Sequence, residues 1–344
     1  MPEFILPNNI KFFYEDSGVP TSQAQNYTTL FIIHGHTFHS GLFKRIIPVA
    51  HARSYRMIAI NRREYPGSTP YTEEELKIFA EGPDDATRTK LLMTEGSNLA
   101  LLLDGLIQSL SLPLAGGVAV VGWSLGNLYA LLLLASITSL PQDTKERLGK
   151  FVNRAILWDP PIHPLGIPYD QSTCYVPLWD PELNPQERAM EFGKWVTYYF
   201  VHGDLSKRDL TQFNYRTNDP KRKRSFEDMP FPELMQIIDM AAGPKCDTLV
   251  SESSFEKVDW AIVNKALFDG ETREAWGSMK IWTMVGDASP WNIHKAVWVL
   301  EDESKKIKGT EPSINFTVVK NANHFVMWDD PTAAMDTLEL CIKT

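Results

Sequence analysis

The stretch Gly117-Val118-Ala119-Val120-Val121-Gly122-Trp123-Ser124-Leu125-Gly126 runs directly into Asn127-Leu128-Tyr129-Ala130-Leu131-Leu132-Leu133-Leu134-Ala135. A short apolar run rich in β-branched residues, a Gly-x-Ser-x-Gly turn and a long helix-forming run describe a serine on a sharp strand-to-helix bend. Side chains at the flanking glycine positions would crowd such a bend. The bend lifts the Ser124 hydroxyl above the sheet edge. It also sets the hydroxyl at a helix N-terminus, where free N–H groups favour developing negative charge. Ser124 is therefore the candidate nucleophile.

Working outward, strands alternate with helices. Ile10–Gly18, Thr29–Ile33, Arg56–Ile60, Arg154–Trp158, Lys280–Gly286 and Ile314–Val319 read as further strands. Leu91, Leu92, Leu99, Leu102 and Leu106 fall at helical spacing within a predicted helix over Thr87–Ser111. Helices are also expected near Asn292–Leu300 and after Pro331. The alternation predicts an α/β fold, a mostly parallel sheet covered by helices on both faces. In such sheets chemistry gathers at the carboxyl ends of the strands. His34, Ser124, Asp159, Asp287 and His324 all follow the ends of predicted strands.

The rhythm breaks between Asp159 and about Trp276, where prolines and aromatics dominate: Pro160-Pro161, Tyr169, Trp179, Trp195, Tyr198-Tyr199-Phe200 and Phe213. Helices are predicted there over 185–201, 231–242 and 255–268. This divides the chain into a core, 1–159 and 277–344, and a mainly helical lid, 160–276. Aromatics in a lid suit an apolar substrate pocket, although they serve equally to pack the lid itself.

The 344 residues are 43% hydrophobic and 22% charged, with a formal net charge of −9. That acidity argues against a nucleic-acid partner. The basic run Lys221-Arg222-Lys223-Arg224 is flanked by Asp219 and by Glu227-Asp228 and reads as a solvated loop. Three scattered cysteines, Cys174, Cys246 and Cys341, suggest neither a disulfide framework nor a metal cluster, so no cofactor or metal is expected. The N-terminal residues lack the basic start and apolar stretch of a secretory signal, and no apolar run reaches transmembrane length. The expectation is a cytoplasmic protein without stable membrane insertion, acting on a hydrophobic small molecule; Asn26-Tyr27-Thr28 and Asn315-Phe316-Thr317 then read as chance matches to glycosylation acceptors.

A serine hydroxyl needs a base within hydrogen-bonding reach. Of the eight histidines, His324 is the best placed, after the last strand and before the terminal helix. The base needs a carboxylate to hold its tautomer. Asp287, at the end of Ile281–Val285, and Asp159, at the end of Ala155–Trp158, compete. Asp287 is preferred, leaving Asp159 a loop-capping role.

The order Ser…Asp…His, with His34-Gly35-His36-Thr37, Gly122–Gly126, Val285-Gly286-Asp287 and Asn323-His324-Phe325, resembles the α/β-hydrolase family across the chain outside the lid. The resemblance implies an oxyanion hole made by the backbone N–H groups of His36 and Leu125. Two such donors are worth on the order of 3 kcal/mol each in transition-state stabilisation. His34 would orient its loop, while His36 and His39 side chains either face substrate or pack the loop. Asn61-Arg62-Arg63-Glu64-Tyr65-Pro66-Gly67-Ser68 resembles the family's Asp-Arg-Gly-x-Gly-x-Ser loop but departs from it, with Glu64 near a position often held by glycine. Asn127 replaces a commonly small residue. A serine at the elbow disfavours the dehalogenase and epoxide hydrolase chemistries of this fold, which use aspartate there. What remains is acyl transfer to an ester, lactone or thioester, released by water or by a hydroxyl of the acyl chain as a lactone. The general likeness is to hydrolases and cyclases of fungal secondary metabolism. A non-hydrolytic small-molecule receptor on the same fold is the alternative of another class.

Overall fold

The computed structural model describes residues 2–21, 26–307 and 313–344. Its strands are β1 (Glu3–Ile5), β2 (Lys11–Asp16), β3 (Thr28–Ile33), β4 (Tyr55–Ile60), β5 (Val118–Trp123), β6 (Val152–Trp158), β7 (Lys280–Gly286) and β8 (Asn315–Val319). They form one sheet in the order β1-β2-β4-β3-β5-β6-β7-β8. From β4 through β8 every neighbouring pair is parallel, and β1 and β2 join antiparallel at one edge. The inner strands β4 and β5 are buried along their whole length, as expected where helices cover both faces. This is the α/β-hydrolase architecture.

The helix Asp85–Ser109 starts on an Asp84 cap, whose carboxylate accepts from the Thr87 N–H, and buries Leu92, Leu99, Leu102 and Leu106. It packs on the helix Gly126–Ala135, every residue of which is buried. A helix apolar all round belongs between other layers. Of the elements that escape the sequence pattern, two have a plain physical reason. The strand β1 has only three residues, too short for visible alternation. The helix Glu73–Glu81 carries a mostly polar surface and is held by a Thr72–Glu75 capping box.

Between β6 and β7 the chain contributes no strand to the sheet. Pro185–Trp195 forms the first expected helix, whereas the second shrinks to Phe231–Leu234 followed by a π-helical turn at Gly243–Asp247. Pro244 and Gly243 interrupt the regular helix there. The helix Glu256–Leu267 packs on Gly126–Ala135, which ties this end of the insertion to the layer covering the sheet. The basic run lies in a turn: Lys223 pairs with Asp228 at 2.6 Å, and Arg222 covers the Tyr199 ring.

Candidate active site

Ser124 leaves β5 with φ of +55°, in the left-handed region that a serine adopts only when its surroundings hold it there. Two constraints do so. The Asn127 amide donates to the carbonyls of Ser124 (2.7 Å) and Trp158 (2.9 Å), tying the ends of β5 and β6 together. Close backbone contact does the rest: a Cβ on Gly126 would lie 2.1 Å from the Ile33 carbonyl oxygen. The departure at Asn127 therefore has a structural role.

His324 stacks on the Trp123 ring at 4.8 Å, and the Trp123 indole N–H donates to the His324 carbonyl at 3.0 Å. Its Nδ1 meets Asp159 Oδ2 at 2.9 Å, with both side chains almost completely buried. The same Asp159 oxygen accepts from the Ser289 hydroxyl at 2.7 Å, and Oδ1 accepts from the Gly286 N–H at 2.9 Å. A buried carboxylate with three donors is well supported.

The expected pairing of His324 with Asp287 is thus corrected to Asp159. Asp287 is partly exposed, accepts from the Ala322 N–H at 3.2 Å and lies 4.0 Å from the Lys320 ammonium. It caps the loop that carries His324. The physical reason lies in the sheet order. Asp159 ends β6, beside the strand β5 that leads into Ser124, and its φ of +47° marks a sharp bend there. The chain arm bearing His324 reaches back across β7 to meet it.

The His34–Thr37 loop follows β3. Arg62 N–H donates to His34 Nε2 at 3.0 Å, so the ring carries its proton on Nδ1 and donates to the Gly35 carbonyl at 2.9 Å. Burial, followed by the nearby Arg62 charge, pushes the His34 pKa well down and keeps it neutral. His34 therefore orients its loop. A Cβ on Gly35 would sit 2.7 Å from Ser124 Cβ, so this loop approaches the serine as only glycine permits. His39 caps the turn that follows, its Nδ1 accepting from the Gly41 N–H at 3.3 Å. His36 bridges the hydroxyls of Thr37 (2.8 Å) and Thr248 (2.9 Å), and its pKa is lowered by burial. The backbone N–H groups of His36 and Leu125 have no acceptor among the described residues.

A buried ion pair anchors this loop to the insertion. The Arg62 guanidinium grips Asp247 through two bonds, 2.9 and 2.7 Å, and also donates to the carbonyls of His34 and Gly35. The Tyr65 hydroxyl donates to Asp247 at 2.6 Å and accepts from the Thr37 N–H at 2.8 Å. Burial alone would raise the Asp247 pKa, but the Arg62 charge and hydrogen bonds outweigh it and hold it at about 2. Glu64 has φ of +70°, the conformation glycine would take, and its carboxylate pairs with Lys245 at 2.7 Å. The segment 243–247 is thus held both by Arg62, which matches the arginine of the family's loop, and by Glu64, which departs from it. Nothing in the sequence links Arg62 to Asp247, 185 positions apart.

Ser124, His324, His36 and Leu125 line one narrow cavity of about 40 Å³, walled by Val176, Leu178, Trp179, Phe192, Trp195 and Ile293 among others. Among the described residues, no Asp, Glu, Lys or Arg lines it. The aromatics of the insertion divide: Phe192, Trp179 and Trp195 line this cavity, whereas Phe226 packs on Phe38, Phe325 and Trp328, and Phe213 on Trp298. No helix among the described residues is long and apolar enough to cross a membrane.

The sequence model of the alpha/beta hydrolase family matches residues 30–337. No curated protein matches in sequence. Among solved structures, a protein from Burkholderia cenocepacia assigned as an aryl esterase superposes with a TM-score of 0.53 at 11% identity, over 100% of this chain and 99% of that one. A haloalkane dehalogenase from Agrobacterium tumefaciens gives 0.53 at 13% identity, covering 100% and 97%. An epoxide hydrolase gives 0.51 at 14%, covering 99% and 98%. At these identities the likeness is one of fold.

Proposed function

Because the chain belongs to the alpha/beta hydrolase family, we propose that it is an esterase-type acyl hydrolase in which Ser124, His324 and Asp159 act together on an uncharged, largely apolar ester, lactone or thioester. The observation that carries this reading is the buried 2.9 Å contact between His324 Nδ1 and Asp159, at a cavity that Ser124 also lines. With Nδ1–H donated to the carboxylate, the lone pair on Nε2 is free to take the serine proton. Ser124 Oγ then attacks the substrate carbonyl, and the oxygen that gains charge is received by the unclaimed N–H groups of His36 and Leu125. The imidazolium returns its proton to the leaving group. Water, activated by the same imidazole, releases the acid and regenerates Ser124.

The substrate class follows from the walls. Aromatic and aliphatic side chains surround the serine, and a charged ligand would find no counter-charge among the lining residues. The test is turnover of p-nitrophenyl acyl esters of graded chain length by the wild type and by Ser124→Ala. We expect the substitution to lower kcat by at least about a thousandfold while leaving the fold intact. Unchanged turnover would overturn the assignment of Ser124. Carried out in oxygen-labelled water, the reaction should place the label in the released acid; an unlabelled lactone product would show that a hydroxyl of the acyl chain takes the place of water.

A further inference from the structure

The peptide bonds that join Gly35 to Phe38 carry six polar groups, and five of them have partners among the described residues. The Gly35 carbonyl accepts from Arg62 at 2.9 Å, and the Thr37 N–H donates to the Tyr65 hydroxyl at 2.8 Å. The Thr37 carbonyl accepts from the Asp239 N–H at 2.7 Å, and the Phe38 N–H donates to the His36 carbonyl at 2.7 Å. The sixth group, the His36 N–H, is the one left over.

The bonds on either side dictate where that N–H points. The peptide bonds are trans, so the Gly35 carbonyl and the His36 N–H point in opposite directions within one plane. Arg62, behind the carbonyl, therefore decides which way the N–H leaves, and His36 lines the cavity beside Ser124. On the far side, Thr37 has φ of +67° and its neighbours close an i to i+2 hydrogen bond, a γ-turn of the strained hand. A β-branched residue keeps that conformation only where its surroundings enforce it. Tyr65 holds the N–H of Thr37 and Asp239 its carbonyl.

Two of these restraints converge on one carboxylate of the insertion. Asp247 Oδ2 accepts from Arg62 Nη2 at 2.7 Å, the same nitrogen that donates to Gly35, and from the Tyr65 hydroxyl at 2.6 Å. Asp247 itself does not line the cavity. We infer that Asp247 is a positioning residue for acyl transfer: acting through Arg62 and Tyr65, it holds the peptide planes on both sides of His36 and so aims the His36 N–H at the oxygen that gains charge. The insertion then fixes the oxyanion donor as well as walling the cavity. The inference rests on the acyl-transfer reading and adds the group that keeps its donor in place. A misdirected N–H weakens binding of the transition state, while the apolar walls still bind the ground-state substrate.

The experiment compares the wild type with Tyr65→Phe, which removes one oxygen, and Asp247→Asn, which removes the charge and keeps the shape. Each is assayed with a p-nitrophenyl acyl ester for kcat and KM, and with the trifluoromethyl ketone of the same chain for Ki. Ser124 adds to that ketone: the Oγ–C bond forms, the carbonyl electron pair moves to oxygen, and the serine proton passes to His324. The adduct therefore calls on the same two N–H groups as the transition state. Both variants should lose at least about tenfold in kcat with KM within about twofold of wild type, and Ki should rise by the same factor as kcat falls. KM and Ki do not depend on how much of a preparation is folded, which separates aim from stability. The inference fails if Ki stays within about twofold of wild type in either variant, whatever happens to kcat, or if KM rises as much as Ki. Both of those results leave acyl transfer standing, because the wild type still turns over. No turnover and no ketone binding by the wild type defeats acyl transfer and, with it, this inference.

Discussion

Replacing Asp159 with Asn is the sharpest probe of the site, because the two orientations of the new amide fail for different reasons. With its NH₂ towards His324, the amide opposes Nδ1–H and also crowds the Ser289 hydroxyl, which now donates to Oδ2 at 2.7 Å. The imidazole escapes only by moving its proton to Nε2, the nitrogen that must accept from Ser124. With its NH₂ towards Gly286, the amide opposes the buried Gly286 N–H, which donates to Oδ1 at 2.9 Å. That orientation preserves the tautomer but strands a buried donor, at about 1–3 kcal/mol. The imidazolium formed during acyl transfer also loses its counter-charge either way. The expected loss in kcat is about 10⁴-fold, or about 5.4 kcal/mol at 1.36 kcal/mol per decade, with a fall in stability of about 1–3 kcal/mol. Asp287→Asn should cost less than about threefold, since that side chain is partly exposed and bonds only the Ala322 N–H. The assay is steady-state hydrolysis of a p-nitrophenyl ester, paired with urea denaturation to separate chemistry from folding. A loss at Asp287→Asn equal to or larger than that at Asp159→Asn would refute the reasoning.

Arg62→Met should destabilise the protein by about 3–5 kcal/mol, because it strands the Asp247 carboxylate in the interior, and adding Asp247→Leu should recover part of the loss in urea titrations. The same pair gives a pH signature: the Asp247 pKa is held at about 2, below the usual carboxylate range, so its stabilisation is complete above about pH 4 and is lost as pH falls through about 2, a slope that Asp247→Asn should flatten. Asp259 has the opposite sign. Both its oxygens lack partners among the described residues and burial pushes its pKa well up, so the wild type should lose stability as pH rises above about 4, and the melting-temperature advantage of Asp259→Asn should widen with pH. A gap independent of pH would contradict this. Gly35→Ala should lower kcat by about 10²-fold, because its Cβ would meet Ser124 Cβ at 2.7 Å and the Trp123 ring at 3.0 Å; near-normal turnover would show that the loop yields there.

The parallel core was legible because each strand of the nucleophile half announces itself locally, by a β-branched run ending in a polar or glycine-rich turn. The elbow was legible for the same reason, since the strand, the bend and the helix are contiguous. The partner of His324 was not. Asp159 and Asp287 each follow a core strand, and what separates them is which strand lies beside β5, a property of the sheet order. Ser289, which donates to Asp159, sits two residues beyond Asp287, so the end of β7 supports the acid that β6 supplies. The bonds of Arg62 and Tyr65 to Asp247 left no trace in the sequence, but the neighbouring pair of Glu64 with Lys245 did, in the mismatch of Asn61–Ser68 with the family's loop. A charged residue where glycine is common, in a segment bound for the interior, is a sign that something elsewhere answers it.

The bond between Arg62 and Asp247 also bears on how such proteins are recombined. The two segments lie 185 positions apart, yet neither is interchangeable alone. A chimera that takes its 160–276 region from a relative without an acid at the position of Asp247 would inherit a buried guanidinium with no counter-ion, against the loop that approaches Ser124. Grafting a new substrate preference onto this scaffold therefore requires moving two pieces together, the roof and the Asn61–Ser68 loop beneath it, as a single cassette.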